Sequence, residues 1–272
     1  MIDIRDLWVK YPNSKNYALR GINVSLEKGL ILVVGPTGCG KTTLARCIFG
    51  LIPHFFKAEV SGKIRVLGID PVSEGINALF GKVAYVAQNP EMFVSSLTVK
   101  EELVFPISNL GVEKEIIVSK LRDVVEEFNF YSLLNMSTLM LSAGQLQLIS
   151  LASAFMVDAK ILILDEPLAR LDPDNAKNVS KHIRKIAKKG KLVLVFEHHL
   201  DHIFGMADDV IVMEAGKILI RDKPENVIGL LSEIDIPEIS ELLLDFYYSG
   251  CISKIPINIE EAVELIKNAK SK

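Results

Sequence analysis

A glycine-rich loop between a strand pattern and a helix pattern constrains the fold of this 272-residue chain more than any other feature. The apolar run LILVV at 30–34 leads into GPTGCGKTT at 35–43, and the helical pattern KTTLARCIFG covers 41–50. The loop matches the pattern G-x-x-x-x-G-K-[ST] in full, and both flanking elements are those that the pattern requires. The alternative is a glycine-rich turn that precedes a lysine by chance. The sequence therefore predicts an α/β fold with a phosphate-binding loop.

Each residue type in this loop suits a bound triphosphate. The glycines allow positive φ angles and a close approach of backbone N–H groups to phosphate oxygens. Lys41 supplies a positive charge for the β- and γ-phosphates, and the hydroxyl of Thr42 suits Mg²⁺. The residues expected to contact the nucleotide are Gly35, Pro36, Thr37, Gly38, Cys39, Gly40, Lys41, Thr42 and Thr43.

A second segment, ILILDEP at 161–167, places two acids directly after four aliphatic residues. A buried strand that delivers Asp165 at its tip supplies the second protein contact to Mg²⁺ in phosphate-loop ATPases. Glu166 then lies at the same sheet edge and can orient or deprotonate the attacking water. Taken alone, the acids and the proline could equally cap a strand at the surface. Together with the phosphate loop, they predict hydrolysis of a nucleoside triphosphate.

The composition is that of an ordinary globular chain, with 49% hydrophobic residues, 24% charged residues and a net charge of −3. The longest apolar runs are strand-sized, far below the roughly 18 residues of a membrane span. Three cysteines, an odd number without a CxxC pair, fit the reducing cytosol. The basic stretch at 177–191 lacks interleaved aromatics, so we interpret it as a solvated helix and predict no nucleic-acid partner.

Short β-branched runs alternate with helical patterns along the chain. The predicted strands are 2–9, 21–26, 30–34, 63–67, 83–87, 161–164, 192–196 and 209–213. The predicted helices are 41–50, 98–105, 112–129, 144–157, 174–188 and 257–268. This alternation favours a largely parallel sheet that is covered on both faces. The links at 26–29 and 66–71 are too short for crossover helices, so they indicate an antiparallel portion beside the parallel one.

The same pattern divides the chain into three parts. Residues 1–87 and 158–222 are predicted to form a nucleotide-binding core with an antiparallel β subdomain. Strand signals disappear between 88 and 157, which indicates a helical subdomain inserted into that core. Residues 223–272 are predicted to form a small C-terminal appendage, which ends in a short helix.

The polar break LSAGQ at 141–145 indicates another exposed helix start. Ser142 and Gln145 have the Ser-x-x-Gln spacing of a capping box, and an apolar helical run follows them. A helix start of this kind attracts anions because its first N–H groups are unpaired and its dipole is positive there. The chain therefore carries two predicted anion sites that are far apart in sequence.

The phosphate loop, LSAGQ and ILILDEP together resemble the ATP-binding-cassette family over about residues 1–225. The resemblance implies a RecA-like parallel core with an antiparallel side sheet, and it implies ATP and Mg²⁺ as cofactors. Gln88 in AYVAQNP is similar to the glutamine of the family's Q-loop, which senses Mg²⁺ and nucleotide. ARLD at 169–172 lies where the family has its D-loop.

The resemblance extends to the nucleotide's other contacts. His198 in LVFEHHLD occupies the position of the histidine that holds the γ-phosphate. Tyr11 is placed like the aromatic residue that stacks on adenine, and Tyr17 is the less favoured alternative. The implied metal-site residues are Thr42, Gln88 and Asp165. The implied catalytic residues are Lys41, Glu166 and His198.

In this family, two cassettes pair head to tail, and each presents its signature helix to the ATP held by the other. The resemblance therefore implies a second cassette, a copy of this chain or a related one, as a partner. The residues expected to reach the partner's ATP are Ser142, Ala143, Gly144 and Gln145. The family signature usually has two glycines, and Ala143 replaces the first of them.

A narrower likeness concerns the energy-coupling-factor and cobalt-type cassettes. It is carried by GLIPHFFKAEVSGKIRVLGIDP at 50–71, QNPEMFVSSLTVKEEL at 88–103, FEHHLD at 196–201 and segments of the tail at 237–267. The likeness implies uptake of a vitamin or metal ion through an integral membrane scaffold subunit and a membrane substrate-binding subunit. The chain would then lie at the cytoplasmic face of the cell membrane, with the surface at 88–99 and the helical insert against the scaffold.

Two other functions remain open from the sequence. One is a soluble cassette ATPase that transports nothing and serves cofactor assembly. The other is an inert nucleotide-binding regulator. A metal site at His198 and His202, which have i, i+4 spacing, is a weaker interpretation because no third ligand is evident.

Overall fold

The structure, a computed structural model, describes residues 1–231 and 236–269. The predicted appendage at 223–272 therefore includes two stretches, 232–235 and 270–272, that lie outside the described residues. The strands are β1 (Ile2–Lys10), β2 (Leu19–Leu26), β3 (Gly29–Val34), β4 (Glu59–Val66), β5 (Val83–Val86), β6 (Ile161–Asp165), β7 (Leu192–Phe196), β8 (Asp209–Glu214) and β9 (Lys217–Asp222). The helices are α1 (Lys41–Phe49), α2 (Pro71–Glu74), α3 (Val99–Ser108), α4 (Lys114–Phe128), α5 (Ala143–Met156), α6 (Pro173–Lys188), α7 (Pro224–Val227), α8 (Glu238–Leu242), α9 (Leu244–Tyr248) and α10 (Ile259–Ala269).

Six strands form the central sheet in the order β5-β6-β7-β3-β8-β9. The pairs from β5 through β8 are parallel, and β9 pairs antiparallel with β8. Val33 and Asp165 both pair in register with Phe196, so three adjacent strands end at the same level. Ligands of open α/β sheets bind at the carboxyl ends of the strands. The loops after β3, β6 and β7 therefore meet at that edge.

Alternate residues of β3 enter two different cores. Leu30, Leu32 and Val34 pack in the core that α3, α4, α5 and α6 share. Ile31 and Val33 pack in the core that α1 shares with the strands β1, β2 and β4. Side chains of a strand alternate between the two faces of a sheet, and parallel sheets are covered on both faces. The predicted α/β architecture, with a parallel sheet between two layers, is confirmed.

A separate antiparallel sheet has the strand order β2-β1-β4. The predicted antiparallel portion is confirmed. The two short links on which the prediction was based, however, are not hairpin turns between paired strands. The link at 26–29 carries the chain from β2 into β3 of the central sheet, and the link at 66–71 leads from β4 into α2. A short link between two sheets has the same sequence signal as a hairpin turn, so local pattern does not distinguish them.

The edge strand β9 is absent from the sequence prediction. Its residues alternate between exposed and half-buried positions, and they include Lys217, Arg221 and Asp222. The strand therefore lacks the apolar run that identifies inner strands. Charged side chains are common on edge strands because they discourage pairing with another chain.

The region 88–157 holds α3, α4 and α5, and α5 contacts β5 of the central sheet. Thr98 begins α3 with a capping box, in which Glu101 bonds back to the backbone of Thr98. Leu103 and Ile149 are fully buried in the same core as β3. The helical insert therefore packs on the central sheet through an apolar face.

The C-terminal helices α8 and α10 pack together near a small apolar cluster that includes Leu243, Ile252 and Ala262. Within the described ranges, no helix combines the length and the apolarity needed to cross a membrane.

Candidate functional site

The loop at 35–40 joins the carboxyl end of β3 to the start of α1, and its glycines are required by packing as well as by backbone angle. Gly40 has a φ of +111°, and a Cβ there would lie 2.6 Å from the carbonyl oxygen of Ala18. A Cβ on Gly35 would lie 2.1 Å from the carbonyl oxygen of Met213. The glycines of the sequence motif therefore also let the loop lie directly against neighbouring backbone.

Lys41 follows this loop as the first residue of α1, and the residue is 7% exposed. Its Nζ donates to the carbonyl oxygen of Gly35 at 2.5 Å and to that of Pro36 at 3.3 Å. Cys39 lies beside it, and burial raises the pKa of the Cys39 thiol although the Lys41 charge opposes this. The loop thus holds one ammonium group close to its backbone, where phosphate oxygens are expected.

A hydroxyl and a carboxylate meet beside the loop. Thr42 Oγ1 donates to Asp165 Oδ1 at 3.2 Å, and the Tyr85 hydroxyl donates to Asp165 Oδ2 at 3.4 Å. Asp165 is 1% exposed at the end of β6. Burial is the main reason that the pKa of its carboxyl is raised to about 6, while the bond from Thr42 opposes the rise. Tyr85 is a residue of this cluster that the sequence motifs do not indicate.

Two predicted residues from distant segments converge on Glu166. Gln88 Nε2 donates to Glu166 Oε2 at 2.7 Å, and His198 Nδ1 lies 3.6 Å from Glu166 Oε1. Glu166 has a φ of +51°, and its N–H donates to the carbonyl oxygen of Phe196 at 2.8 Å. A left-handed conformation at a residue other than glycine costs free energy, and such residues cluster at functional sites.

Glu197, the residue after β7, is a further buried acid that sequence reasoning did not single out. Its Oε2 accepts from the N–H of Leu168 at 3.1 Å, and its Oε1 accepts from the N–H groups of His198 and His199 at 3.0 and 3.3 Å. The side chain has no exposed surface, and this burial raises the pKa of Glu197 to about 7. Glu197 therefore connects the loop after β6 to the loop after β7.

The predicted capping box at the start of α5 is confirmed. Ser142 N donates to Gln145 Oε1 at 2.9 Å, and Gln145 N donates to Ser142 Oγ at 3.2 Å. Ser142 and Ala143 are exposed. Among the described residues, no hydrogen bond joins this helix start to the phosphate loop of the same chain. A Cβ on Gly144 would lie 2.7 Å from the carbonyl oxygen of Arg170, so the helix start lies against the segment at 169–172.

The two candidate adenine contacts lie in different surroundings. Tyr11 is half-buried, and its hydroxyl lies 3.2 Å from Thr43 Oγ1, a hydrogen bond in which either oxygen can donate. Tyr17 is 44% exposed and packs edge-on against Trp8, with the ring centroids 5.2 Å apart. Of the two, Tyr11 is the one whose hydroxyl is hydrogen-bonded to a residue of α1.

At EHHLDH, the rings of His198 and His199 lie 4.1 Å apart. In the part of the chain that the structure describes, no group of three or more His, Cys, Asp or Glu side chains is arranged to hold a metal ion.

The fold and this site define a phosphate-loop nucleotide-binding protein, and comparison with known proteins narrows the class. The family model described as "ABC transporter" matches residues 19–169. An inferred ABC transporter ATP-binding protein of Pyrococcus horikoshii is 31% identical over 98% of this chain and 96% of its own length. The chain therefore belongs to the ABC transporter family: it is an ATP-binding cassette and an ATPase, the ATPase subunit of an ABC transporter.

Other relatives differ in length. An inferred ABC transporter ATP-binding protein of Methanosarcina mazei is 36% identical over 82% of this chain, which spans 39% of that protein. Among solved structures, cbiO1 from Clostridium perfringens, part of the ABC transporter complex cbiONQ, has a TM-score of 0.72 and 25% identity. That match covers 92% of this chain and 96% of cbiO1.

Proposed function

We propose that this chain is the ATP-hydrolysing subunit of an importer of the energy-coupling-factor or cobalt type. In this proposal it pairs head to tail with a second cassette around ATP and drives uptake of a vitamin or metal ion. The observation that carries the importer type is the likeness to cbiO1 over 92% of this chain. The sequence segments at 50–71, 88–103 and 196–201 support it.

The residues around the phosphate loop fit a resident Mg²⁺ ion. Thr42 and Asp165 present a hydroxyl and a carboxylate 3.2 Å apart, and such hard oxygen ligands are those that Mg²⁺ prefers. Gln88 is the third proposed contact. When bound with ATP, Mg²⁺ neutralises charge on the β- and γ-phosphate oxygens. In the proposal, Tyr11 stacks on adenine, and Lys41 and the loop N–H groups hold the phosphates.

Hydrolysis is assigned to the cluster around Glu166. The oxygen of a water molecule forms a bond to the γ-phosphorus, the bond from that phosphorus to the bridging oxygen breaks, and ADP leaves. Glu166 accepts the proton of this water, a role that suits a carboxylate held in a fixed orientation. Gln88 holds one oxygen of that carboxylate at 2.7 Å. His198, on the other side of Glu166, is the proposed contact to the γ-phosphate.

The signature helix is assigned to the ATP of the partner cassette. Ser142 is exposed, and its Oγ accepts the N–H of Gln145, so its own O–H hydrogen can be donated to a phosphate oxygen. The N–H groups of Ala143 and Gly144 point out of the helix start, where the dipole favours an anion. ATP then bridges two chains, and loss of the γ-phosphate releases them.

Mixing two inactive variants tests this arrangement. Lys41→Ala removes the cis contact, and Ser142→Ala removes the trans contact. In a head-to-tail dimer of one variant with the other, one composite site keeps both Lys41 and Ser142. We expect the mixture to hydrolyse ATP faster than the sum of the two variants measured alone. A mixture that equals this sum contradicts a trans arrangement between two copies of this chain.

The contact with the membrane subunits is assigned to an apolar cavity of about 370 Å³ between the central sheet and the helical insert. Its lining includes Phe80, Phe93 and Phe105, which are 55%, 46% and 49% exposed. Aromatic groups of this size favour a partner's apolar side chains. The proposed occupant is a short helix of the integral membrane scaffold, which holds this chain at the cytoplasmic face of the cell membrane.

A pull-down from detergent-solubilised membranes of the source organism tests the importer assignment. We expect two integral membrane proteins, a scaffold and a smaller substrate-binding subunit, and we expect Phe93→Ser with Phe105→Ser to lose both. Leu219→Ser, at a 58% exposed residue of β9 that lies outside both the cavity lining and the helical insert, is the matched control. Recovery of soluble partners alone contradicts the importer and favours a soluble cassette ATPase of the cofactor-assembly type.

A further inference from the structure

Arg170, in the segment at 169–172, contacts two other segments of the chain at once. Its guanidinium donates through NH2 to Asn89 Oδ1 at 2.7 Å and through NH1 to Glu91 Oε1. Its carbonyl oxygen lies against Gly144, where a Cβ would approach to 2.7 Å. One residue therefore joins the start of the helical insert, the signature helix and the loop that follows β6.

These contacts involve chain segments next to both residues of the Gln88–Glu166 hydrogen bond. Asn89 follows Gln88 directly, so the Arg170 side chain restrains the backbone that carries the Gln88 amide. Arg170 itself lies in the loop that follows Glu166, and that loop turns back on itself, because Ala169 N donates to the carbonyl oxygen of Glu166 at 3.5 Å. Arg170 therefore contacts the residue next to Gln88 and lies in the loop that begins at Glu166, the two residues that the 2.7 Å bond joins.

The contacts of Arg170 with Glu91 and Asn89 are better suited to orienting these side chains than to stabilising the fold. Arg170 and Glu91 are both partly exposed, with 33% and 46% of their side chains accessible, and exposed ion pairs add little to folding. A guanidinium is planar and offers donors in a fixed fork, so it fixes the direction of two acceptors. A lysine ammonium offers no such fork.

We propose that Arg170 is a positioning residue, which couples the placement of the helical insert and the signature helix to the orientation of Glu166. The proposal rests on the roles of Gln88 and Glu166 in the proposed function. Movement of the insert against the core displaces Asn89, Glu91 and Gly144, and Arg170 transmits this displacement to the loop that begins at Glu166. The step it affects is hydrolysis, since its contacts lie outside the phosphate loop.

Steady-state hydrolysis by the full chain tests the proposal. We expect Arg170→Ala to lower kcat by about tenfold, because displacing reacting groups by about 1 Å costs up to about a hundredfold. We expect its KM for ATP to stay within about twofold of the wild-type value, the pattern of an interaction made in the transition state. Arg5→Ala, which removes a surface arginine paired with Asp3, is the matched control and should leave both constants unchanged.

A mutant cycle separates positioning from general damage. Glu91→Ala should lower kcat no more than Arg170→Ala does, since the bond from Arg170 to Asn89 remains, and the double variant should be no slower than Arg170→Ala alone. Charge reversal, with Arg170→Glu and Glu91→Arg together, should recover kcat above either reversal alone. Arg170→Lys should retain an intermediate kcat because the charge remains and the fork is lost.

Two results overturn the proposal: a wild-type kcat for Arg170→Ala, or kcat losses that multiply in the double variant. Its failure is distinguishable from failure of the proposed function. If Glu166→Gln hydrolyses ATP at the wild-type rate, the assignment of Glu166 is wrong. If Glu166→Gln is inactive and Arg170→Ala is normal, the coupling role of Arg170 alone is wrong.

Discussion

Gln88 Nε2 donates to Glu166 Oε2 at 2.7 Å, although the two residues are 78 positions apart in sequence. The bond connects the residue at which the chain leaves the core for the helical insert to the residue that follows β6. The other carboxylate oxygen of Glu166 faces His198 Nδ1 at 3.6 Å. Glu166 is therefore oriented from two sides, by the insert and by the core.

The first prediction concerns Glu166 itself. Glu166→Gln keeps an oxygen that can accept from Gln88 but cannot accept a proton from water. We expect ATP binding to persist and phosphate release to slow by at least about a hundredfold, the usual contribution of a general base. Phosphate release and equilibrium dialysis measure the two properties. Glu126→Gln, at an exposed residue of α4, is the control. If Glu166→Gln hydrolyses ATP at the wild-type rate, Glu166 is not the general base.

The second prediction concerns Lys41, whose ammonium lies 2.5 Å from the Gly35 carbonyl oxygen. Lys41→Ala removes the cation that we expect to contact the phosphates. A charge-assisted hydrogen bond contributes about 1.5–3 kcal/mol, so we expect the Kd for ATP to rise by roughly ten- to a hundredfold. Calorimetry measures this constant. Lys181→Ala, at an exposed residue of α6, should bind as the wild type does, and a wild-type Kd for Lys41→Ala contradicts the role.

The third prediction concerns Gly144, where we expect a change to alanine to destabilise the protein rather than to stabilise the helix. Glycine to alanine normally stabilises a helix by about 0.5–1 kcal/mol. At Gly144 the new Cβ would lie 2.7 Å from the Arg170 carbonyl oxygen, and backbone must shift to admit it. We therefore expect Gly144→Ala to lower the free energy of unfolding by about 1–3 kcal/mol.

Urea denaturation measures this change, and Ala143→Gly is the matched variant one residue away. Ala143 is exposed, so its replacement should cost no more than the roughly 1 kcal/mol of an added helix glycine. A stabilised Gly144→Ala variant would show that the helix start can move away from the segment at 169–172.

The fourth prediction concerns pH and Glu197. Burial raises the pKa of this carboxyl from 4.5 to about 7, so the folded chain binds its proton where the unfolded chain has lost it. The contribution of Glu197 to stability therefore falls as the pH rises from about 4.5 to about 7, and it remains low above that.

The glutamine side chain in Glu197→Gln does not titrate, so this variant is the reference for the effect of the Glu197 carboxyl on stability. We expect the free energy of unfolding of the wild type minus that of Glu197→Gln to decrease by up to roughly 3 kcal/mol between pH 4.5 and pH 8. Urea denaturation across this range measures the difference. A difference that is constant with pH means that the Glu197 carboxyl has the same pKa in the folded and unfolded chain.

Local sequence determined the parts of this protein that depend on neighbours along the chain. The phosphate loop with its flanking strand and helix, the capping box of Ser142 and Gln145, and the strand that ends at Asp165 all follow from short patterns. Backbone angle, helix capping and side-chain periodicity act over a few residues, so these features are readable in one dimension.

Tertiary structure decided what depends on contacts between distant segments. Hydrogen bonds of this kind include those of Gln88 with Glu166, Arg170 with Glu91, Glu197 with Leu168 and Tyr85 with Asp165. It also decided that β2 and β3 lie in different sheets and that the charged strand β9 forms an edge. The acid of Glu197 and the cation of Arg170 are visible in the sequence, but their partners are fixed by packing that brings strand ends together, which no local pattern encodes.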